Sequence, residues 1–535
     1  MFGKRFFVPV GLFFAVVGVI VGLRINDGVS NDTLRDQLGK LNDVLSLTQK
    51  YYVEDVDTPK LVEAAINGML GTLDPHSVYI PASALPRVQE EFRGSFEGIG
   101  IEFDVINDTL IVIAPVVGGP SEALGILAGD KILKIDSQSA VGIKREEVPK
   151  KLRGPKGTRV KVSIARTGVN ELLDFEIIRD TIPIYSVIAA TIVSEKIGYM
   201  RIRGFAQTTH DEVVRALRKL KADGMTGLIL DLRNNPGGYL EQAFKVADEF
   251  IPAGKKIVYT KGRRPEYSEE YYSTKEGEFK ELPLIVLIDA GSASASEIVA
   301  GAIQDWDRGL IVGLTSFGKG LVQKQFDLKD GSAFRLTTAR YYTPSGRLIQ
   351  RPYDDKGKYR TEPLERAERE GENLEHQVEA KDTTRPVFHT GSGRPIFGGG
   401  GITPDYIVKL DTVTSFVSSL SRRNTFSEFS VKYVDANGPA LRKTYEKDFR
   451  KFRDQFEVTD KMISEFKSFA KSKGVEIKSG ELERDLSYVK LLIKAFIARP
   501  IWGWDSYFQV VSVVDNQFQK ALTLFPEAQR IAGLK

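Results

Sequence analysis

The chain has 535 residues, no cysteine and a net charge of +4 on 75 basic and 71 acidic side chains. That length implies several domains, and 42% hydrophobic with 27% charged residues is the make-up of a folded protein with a large core. The near-balance of charge gives no sign of a nucleic-acid partner; the lack of cysteine excludes disulfides and thiolate metal sites and fits an extracytoplasmic bacterial protein.

The chain opens with MFGKRFF and an uncharged apolar run from Phe6 to Leu23 that stops at Arg24. Such a run is just long enough to cross a bilayer, and Lys4 and Arg5 ahead of it predict a cytoplasmic N-terminus with the rest exported. No good A-x-A cleavage site follows, so residues 1–30 are read as a retained single-pass anchor in the bacterial inner membrane, in preference to a cleaved signal. Residues 31–94 form a small helical region, with apolar positions of LRDQLGKLNDVLSLTQKYYV and LVEAAINGMLGTL at helical spacing before the turn LDPHSVYI. His76 in that turn is read as a capping or packing residue.

Residues 95–182 read as one compact module: GIGIEFDVIN and TLIVIAPV as strands, PSEALGI as a helix, then DKILKID, EEVPKKLRG and two closing strands. Gly98 and Gly100 flank Ile99 and Ile101 and allow close backbone approach there. The core runs over 183–410. Strands IGYMRIRGF, TGLILDLR, KKIVYTK, PLIVLID and GLIVG alternate with helices TTHDEVVRALRKLKADG, YLEQAFKVADEFI and ASEIVAGAIQDW, which argues an α/β sheet with helices on its faces. Asp231, followed by RNN, is expected to fix its loop by hydrogen bonds, and His210 to sit in the first turn of a surface helix.

The core is organised around Leu284–Gln323. LIVLID is a buried strand, GSASAS a small-residue turn, and the helix from Ala295 begins where that turn delivers Ser294. N–H groups at a helix N-terminus lack partners, so an oxyanion beside Ser294 could be held by the N–H of Ala295, the geometry of a nucleophile elbow. A serine needs a base. None of His76, His210, His376 and His389 lies in a stretch resembling a site, which leaves Lys319 in SFGKGLVQ; a lysine serves as base only when neutral, a state favoured by burial among Phe317, Leu321 and Val322. If the chain is extended after Gly320, Lys319, Leu321 and Gln323 share one face, and the Gln323 amide can orient the amine. Residues 313–320, GLTSFGKG, nearly fit a phosphate-binding loop, but Gly320 stands where a hydroxyl is needed and LVQKQFDLKDGSAFRLTTARYY reads as two strands joined by a turn, so a nucleotide hydrolase is a distant alternative. Residues 354–386 are highly charged without apolar period and are read as a mobile insertion, and 411–535 as a helical extension.

GSASASEIVAGAIQDWDRGLIVG followed by TSFGKGLVQ resembles the catalytic region of the carboxy-terminal processing peptidases, or tail-specific proteases. The resemblance implies a multidomain α+β chain with a crotonase- or Clp-protease-like α/β core and a Ser–Lys dyad without metal or cofactor. Its spacing of 25 residues from serine to lysine selects Ser294 over Ser292 and Ser296 against Lys319, and its supporting glutamine falls on Gln323. Its oxyanion donors fall on Ala295 and on Gly237 or Gly238 of DLRNNPGG. GIGIEF, AGDKILKID and GPKGTRVKVSIAR resemble a PDZ domain, which implies capture of a peptide C-terminus as an added strand, its carboxylate on the backbone of the loop holding Gly98, Ile99, Gly100 and Ile101. Arg153 in KLRGPKG is read as a solvated turn residue, with a relay of peptide occupancy to the active site as its functional alternative. The implied function is an exported, membrane-anchored serine endopeptidase acting on proteins or peptides with free C-termini; a catalytically silent PDZ adaptor is the rival. The C-terminal helices would regulate access, hold an adaptor or build an oligomer.

Overall fold

A computed structural model describes residues 33–372, 374, 385–410, 413–445, 448–476 and 480–534. The apolar run Phe6–Leu23 lies outside the described residues, and among those described no helix is long and apolar enough to cross a membrane. The chain divides into two compact units, Met1–Tyr79 and Ile80–Lys535.

In the first unit a helix over residues 33–51 precedes α1 (Thr58–Gly71), which Asp57 caps by accepting the Lys60 N–H at 3.1 Å. The DPHS turn closes on Asp74, whose carboxylate accepts the N–H groups of His76 and Ser77 at 2.7 and 2.9 Å.

The second unit begins with α2 (Leu85–Arg93) and β1 (Ser95–Gly98), then β2 (Ile101–Ile106), β3 (Thr109–Pro115), α3 (Pro120–Ala123), β4 (Lys131–Ile135), α4 (Val148–Leu152), β5 (Arg159–Ala165), β6 (Leu173–Ile178) and β7 (Asp180–Pro183). Strands β2, β3, β4, β5 and β6 form one sheet in that order, with β2 at its edge, while β1 and β7 pair with each other where the chain enters and leaves the module. Alternation sorts the side chains: Leu110 and Val112 face the module's own core, and Ile111 and Ile113 face outward.

The central six-stranded sheet follows the order β8 (Val187–Ser194), β9 (Ile197–Ile202), β10 (Gly227–Asp231), β13 (Leu284–Ile288), β14 (Leu310–Gly313) and β17 (Tyr406–Ile407). The first pair is antiparallel and the others parallel. Sheets of this kind need cover on both faces. Leu228, Leu230, Val286, Ile288 and Ile311 pack under α5 (Thr209–Ala222), α6 (Leu240–Asp248) and α7 (Ala295–Asp305). Their neighbours Ile229, Ile285, Leu287, Leu310 and Val312 pack against Phe508, Phe518, Leu524 and Phe525 from the C-terminal helices. A second sheet carries the hairpin β15 (Leu321–Asp327) and β16 (Ala333–Tyr342), joined to β11 (Lys256–Gly262) and β12 (Glu270–Tyr272).

The segment expected to be mobile contains α8 (Lys356–Arg369). It lacks an apolar stripe because contacts with the core hold it instead: Tyr359 and Pro363 are buried, and Asp355 caps its start. Residues 373 and 375–384 of that segment lie outside the described residues. The extension comprises α9 (Ser415–Arg422), α10 (Thr425–Tyr445), α11 (Phe449–Gln455), α12 (Asp460–Ser472), α13 (Glu481–Val511), α14 (Asn516–Thr523) and α15 (Phe525–Ile531). Helices α9–α13 share a core of their own. They also grip the β2–β3 module: Val431 covers Ile106, Ile111 and Ile113, Asp435 accepts from Lys131 Nζ at 2.7 Å and Thr167 Oγ1 at 2.5 Å, and Arg499 pairs with Glu102.

Candidate active site

Strand β13 is fully buried and ends in the turn that carries three serines. Two are committed to packing. Ser292 Oγ donates to Leu232 O at 2.8 Å and Ser296 Oγ to Asn235 O at 2.9 Å, both fully buried and both tying the turn to the loop after β10. Ser294 between them is half-buried and lines a cleft of about 1200 Å³. It is the N-cap of α7 with φ 55° and ψ −112°, a conformation costly for a residue with a Cβ that persists only where its surroundings fix it.

Glu297, three residues on, is one of those fixtures. Its carboxylate accepts the N–H of Ser294 at 2.8 Å, of Lys319 at 2.9 Å and of Gly318 at 2.7 Å, and the hydroxyl of Ser316 at 2.5 Å. Four donors meet an acceptor-only group, and one side chain joins the serine turn to the lysine loop. Complete burial raises Glu297 above the usual carboxylate range against the pull of those hydrogen bonds. Sequence reasoning passed over this residue, although Ser-x-x-Glu at a helix start is the capping-box signature that could have found it.

The loop after β10 is pinned by its side chains. Asp231 is buried and accepts from Tyr199 Oη at 2.7 Å, Arg201 Nη1 at 2.9 Å and the N–H of Arg233 at 2.9 Å. Burial disfavours its charge, but Arg233 and Arg201 outweigh that and hold it well below the usual carboxylate range. Asn235 donates to Ile202 O and accepts the Gly237 N–H, both at 2.9 Å. The two glycines thereby separate. Gly237 has its N–H on Asn235 and packs so closely that a Cβ would lie 2.8 Å from Ser294 Cβ. Gly238 forms a parallel bridge with Phe205, in which Phe205 N donates to Gly237 O and Tyr239 N to Phe205 O. In that pattern the N–H of Gly238 points away from Phe205. A Cβ on Gly238 would lie 2.1 Å from Phe205 O.

Lys319 is half-buried and lines the same cleft as Ser294, Gly237, Gly238 and Gln323. Gly320 N donates to Gln350 Oε1 at 2.9 Å, and Phe317 N to Ser292 O at 2.8 Å. Helix α8 braces this loop from outside: Arg366 donates to Ser316 O, Glu370 accepts from Thr315, and Arg351 packs on the rings of Phe317 and Tyr359, 4.4 and 4.1 Å from their centres. Gln323 donates to Thr337 Oγ1 at 3.3 Å, just past a bulge between Val322 and Gln323 that interrupts the strand's simple alternation. After Lys319 the chain forms β15 and not the helix a phosphate-binding loop requires.

The catalytic part matches the family model described as peptidase family S41 over residues 196–354, and residues 98–177 match the PDZ domain. Residues 23–84 match the activating protease CtpB N-terminal domain, and 416–503 match a family of unknown function. A carboxy-terminal-processing protease of Bartonella bacilliformis is 41% identical over 65% of this chain and 81% of its own length. The chain belongs to the carboxy-terminal processing proteases of peptidase family S41. Carboxy-terminal processing protease CtpB of Bacillus subtilis is 36% identical over 60% of this chain and 67% of its own. Among solved structures, a photosystem II D1 C-terminal processing protease is 29% identical over 58% of this chain and 89% of that one, with a TM-score of 0.32.

In the PDZ domain of this serine peptidase, the loop at Gly98–Ile101 is folded against α3. Ser121 donates from Oγ to Ile99 O at 2.6 Å, Val116 N donates to Gly100 O at 2.9 Å, and Gly100 has φ 72°. Arg153 ends α4 on the exposed surface, as read from the sequence, and its guanidinium also lies 4.3 Å over the Phe96 ring and pairs with Glu90 at 2.5 Å. Glu90 belongs to α2, whose Val88, Gln89 and Phe92 line the catalytic cleft.

Proposed function

We propose that this chain is an endopeptidase that captures polypeptide C-termini on its PDZ domain and cuts upstream of them with Ser294 and Lys319. The observation that carries the reading is one cleft lined by a strained serine, a lysine and the Gly237–Gly238 loop. Neutral Lys319 takes the Ser294 proton as Oγ bonds to the scissile carbonyl carbon, and the N–H groups of Ala295 and Gly238 receive the oxyanion. Gly238 is the better donor because the Gly237 N–H is already on Asn235. Protonated Lys319 then protonates the leaving amine as the C–N bond breaks; the neutral Lys319 amine next takes a proton from the water that attacks the acyl-enzyme and returns it to Ser294 Oγ as the ester C–O bond breaks. Gln323 serves to orient Lys319.

Strand β2 is an edge strand of its sheet among the described residues, on which a substrate tail would add with its carboxylate at the Gly98–Ile101 backbone. The Arg153–Glu90 pair gives that event a route to α2 and the cleft. Phe6–Leu23 with Lys4 and Arg5 ahead of it supports an inner-membrane anchor and an extracytoplasmic catalytic part.

Amidating the C-terminal carboxylate of a protein substrate with an apolar tail tests tail recognition. Turnover should fall at least tenfold with the loss of charge-assisted hydrogen bonds worth roughly 1.5–3 kcal/mol each, while short peptides are cut unchanged. Equal cleavage of amidated and free-acid protein would leave a general endopeptidase.

A further inference from the structure

The C-terminal extension, besides covering one face of the sheet, reaches the loop after β10 through Arg233. Arg233, in DLRNNPGG, donates from Nε and Nη2 to Asp231, and from Nη1 and Nη2 to Asp515 at 3.1 and 2.7 Å. Gln517 Oε1 accepts from Nη1 at 2.9 Å. Arg201 donates to Asp231 and, at 3.1 Å, to the carbonyl of Arg233. Two guanidinium groups therefore face two carboxylates in a site where Asp231 is 0% and Arg233 9% exposed. Without Asp515, two cations would share one buried carboxylate, the imbalance that moves charged groups out of place.

The rest of the loop passes such a movement on. Asn234 N is held by Asp289 Oδ1 at 2.8 Å, Asn235 by Ile202 O and Gly237 N, and Gly238 by its bridge to Phe205. Residues 231–238 thus have little slack between Arg233 and the cleft.

We propose that Asp515 is a positioning residue for the oxyanion loop: through Arg233 it holds residues 231–238 where Gly238 presents its N–H to the cleft, which makes the C-terminal helices part of the peptidase. This rests on Ser294 being the nucleophile and Gly238 an oxyanion donor.

Asp515 also caps α14, its Oδ1 accepting the Phe518 N–H at 3.0 Å, and asparagine caps a helix as well as aspartate does. Asp515→Asn in the full chain therefore removes the carboxylate charge that faces Arg233 and keeps the cap. On a short peptide, kcat and the rate of Ser294 labelling by a serine-directed phosphonate should both fall about tenfold, with KM and the acid limb of the pH profile unchanged because Lys319 sits on another loop. Asp515→Glu should recover at least half the rate. Wild-type kcat and labelling in Asp515→Asn would overturn the role of Asp515, as would a loss confined to KM or to the thermal midpoint. Turnover in Ser294→Ala would instead overturn the dyad itself.

Discussion

The loop proposed to hold the oxyanion, Asp231–Gly238, and the lysine loop, Thr315–Gly320, reach one cleft with Ser294 and are anchored differently. The first is held largely by side chains: Asp231, Arg233 and Asn235 bind strands and the C-terminal helices, and Gly237 and Gly238 line the cleft. The second is held by its backbone, since the successive N–H groups of Gly318, Lys319 and Gly320 go to Glu297, Glu297 and Gln350, and a side chain is presented to the cleft. In the proposed mechanism each loop is fixed mainly through the part of the residue that the chemistry does not use. The difference also divides the electrostatics: the guanidinium groups that secure the Asp231–Gly238 loop are matched by Asp231 and Asp515, and the lysine loop rests on the fully buried Glu297 carboxylate, with Glu370 and Gln350 as further acceptors.

That division can be broken most heavily at Asp231. Asp231→Asn leaves Arg201 and Arg233 short of a counter-charge, and at pH 7 should cost about 3–5 kcal/mol of stability in denaturant titration. Because its folded value is depressed, the stabilisation is complete above the unfolded carboxylate's value of about 3.9 and is lost as pH falls through the folded value. The gap between wild type and variant should stay constant from neutral pH to about pH 4.5 and narrow only in stronger acid; a gap that closes at neutral pH would place the stabilisation elsewhere.

Glu297→Gln acts on the other loop. The amide turns an NH₂ toward N–H groups that need an acceptor, so both the serine turn and the lysine loop lose register. Peptide turnover should fall about 100-fold with KM little changed, the size expected for a misplacement near 1 Å. Turnover within a factor of two of wild type would show that Glu297 is not the tie between them.

The smallest effect is expected from the outer brace. Arg366→Ala removes the guanidinium that meets Ser316 O and Gly400 O, and should lower kcat roughly tenfold. An unchanged rate would make α8 a cover and not a support.

How much of this was legible in the sequence follows from what each residue does locally. The strand, turn and helix around Ser294 were readable because burial, small residues and helical spacing occur in one continuous stretch. The PDZ strands were readable for the same reason. Helix α8 was missed because Tyr359, Arg366 and Glu370 are stabilised by a loop some fifty residues away in sequence, a contact that leaves no apolar period. The second cover of the catalytic sheet was missed because Phe508, Phe518 and Phe525 look like any helical apolar face until Ile285 and Leu287 are seen to need a partner. The motif offers Gly237 and Gly238 alike, and the hydrogen bond from Gly237 N to Asn235 that favours Gly238 in the proposal leaves no sequence signal.

The central claim, that Ser294 is activated by Lys319, is tested most directly by mass-spectrometric mapping of a serine-directed phosphonate. Wild type should be labelled stoichiometrically at Ser294, while Lys319→Ala and Lys319→Arg remain unlabelled with unchanged thermal midpoints, because arginine keeps its charge and cannot act as base. Labelling at another serine, or full-rate labelling of Ser294 in Lys319→Arg, would contradict it.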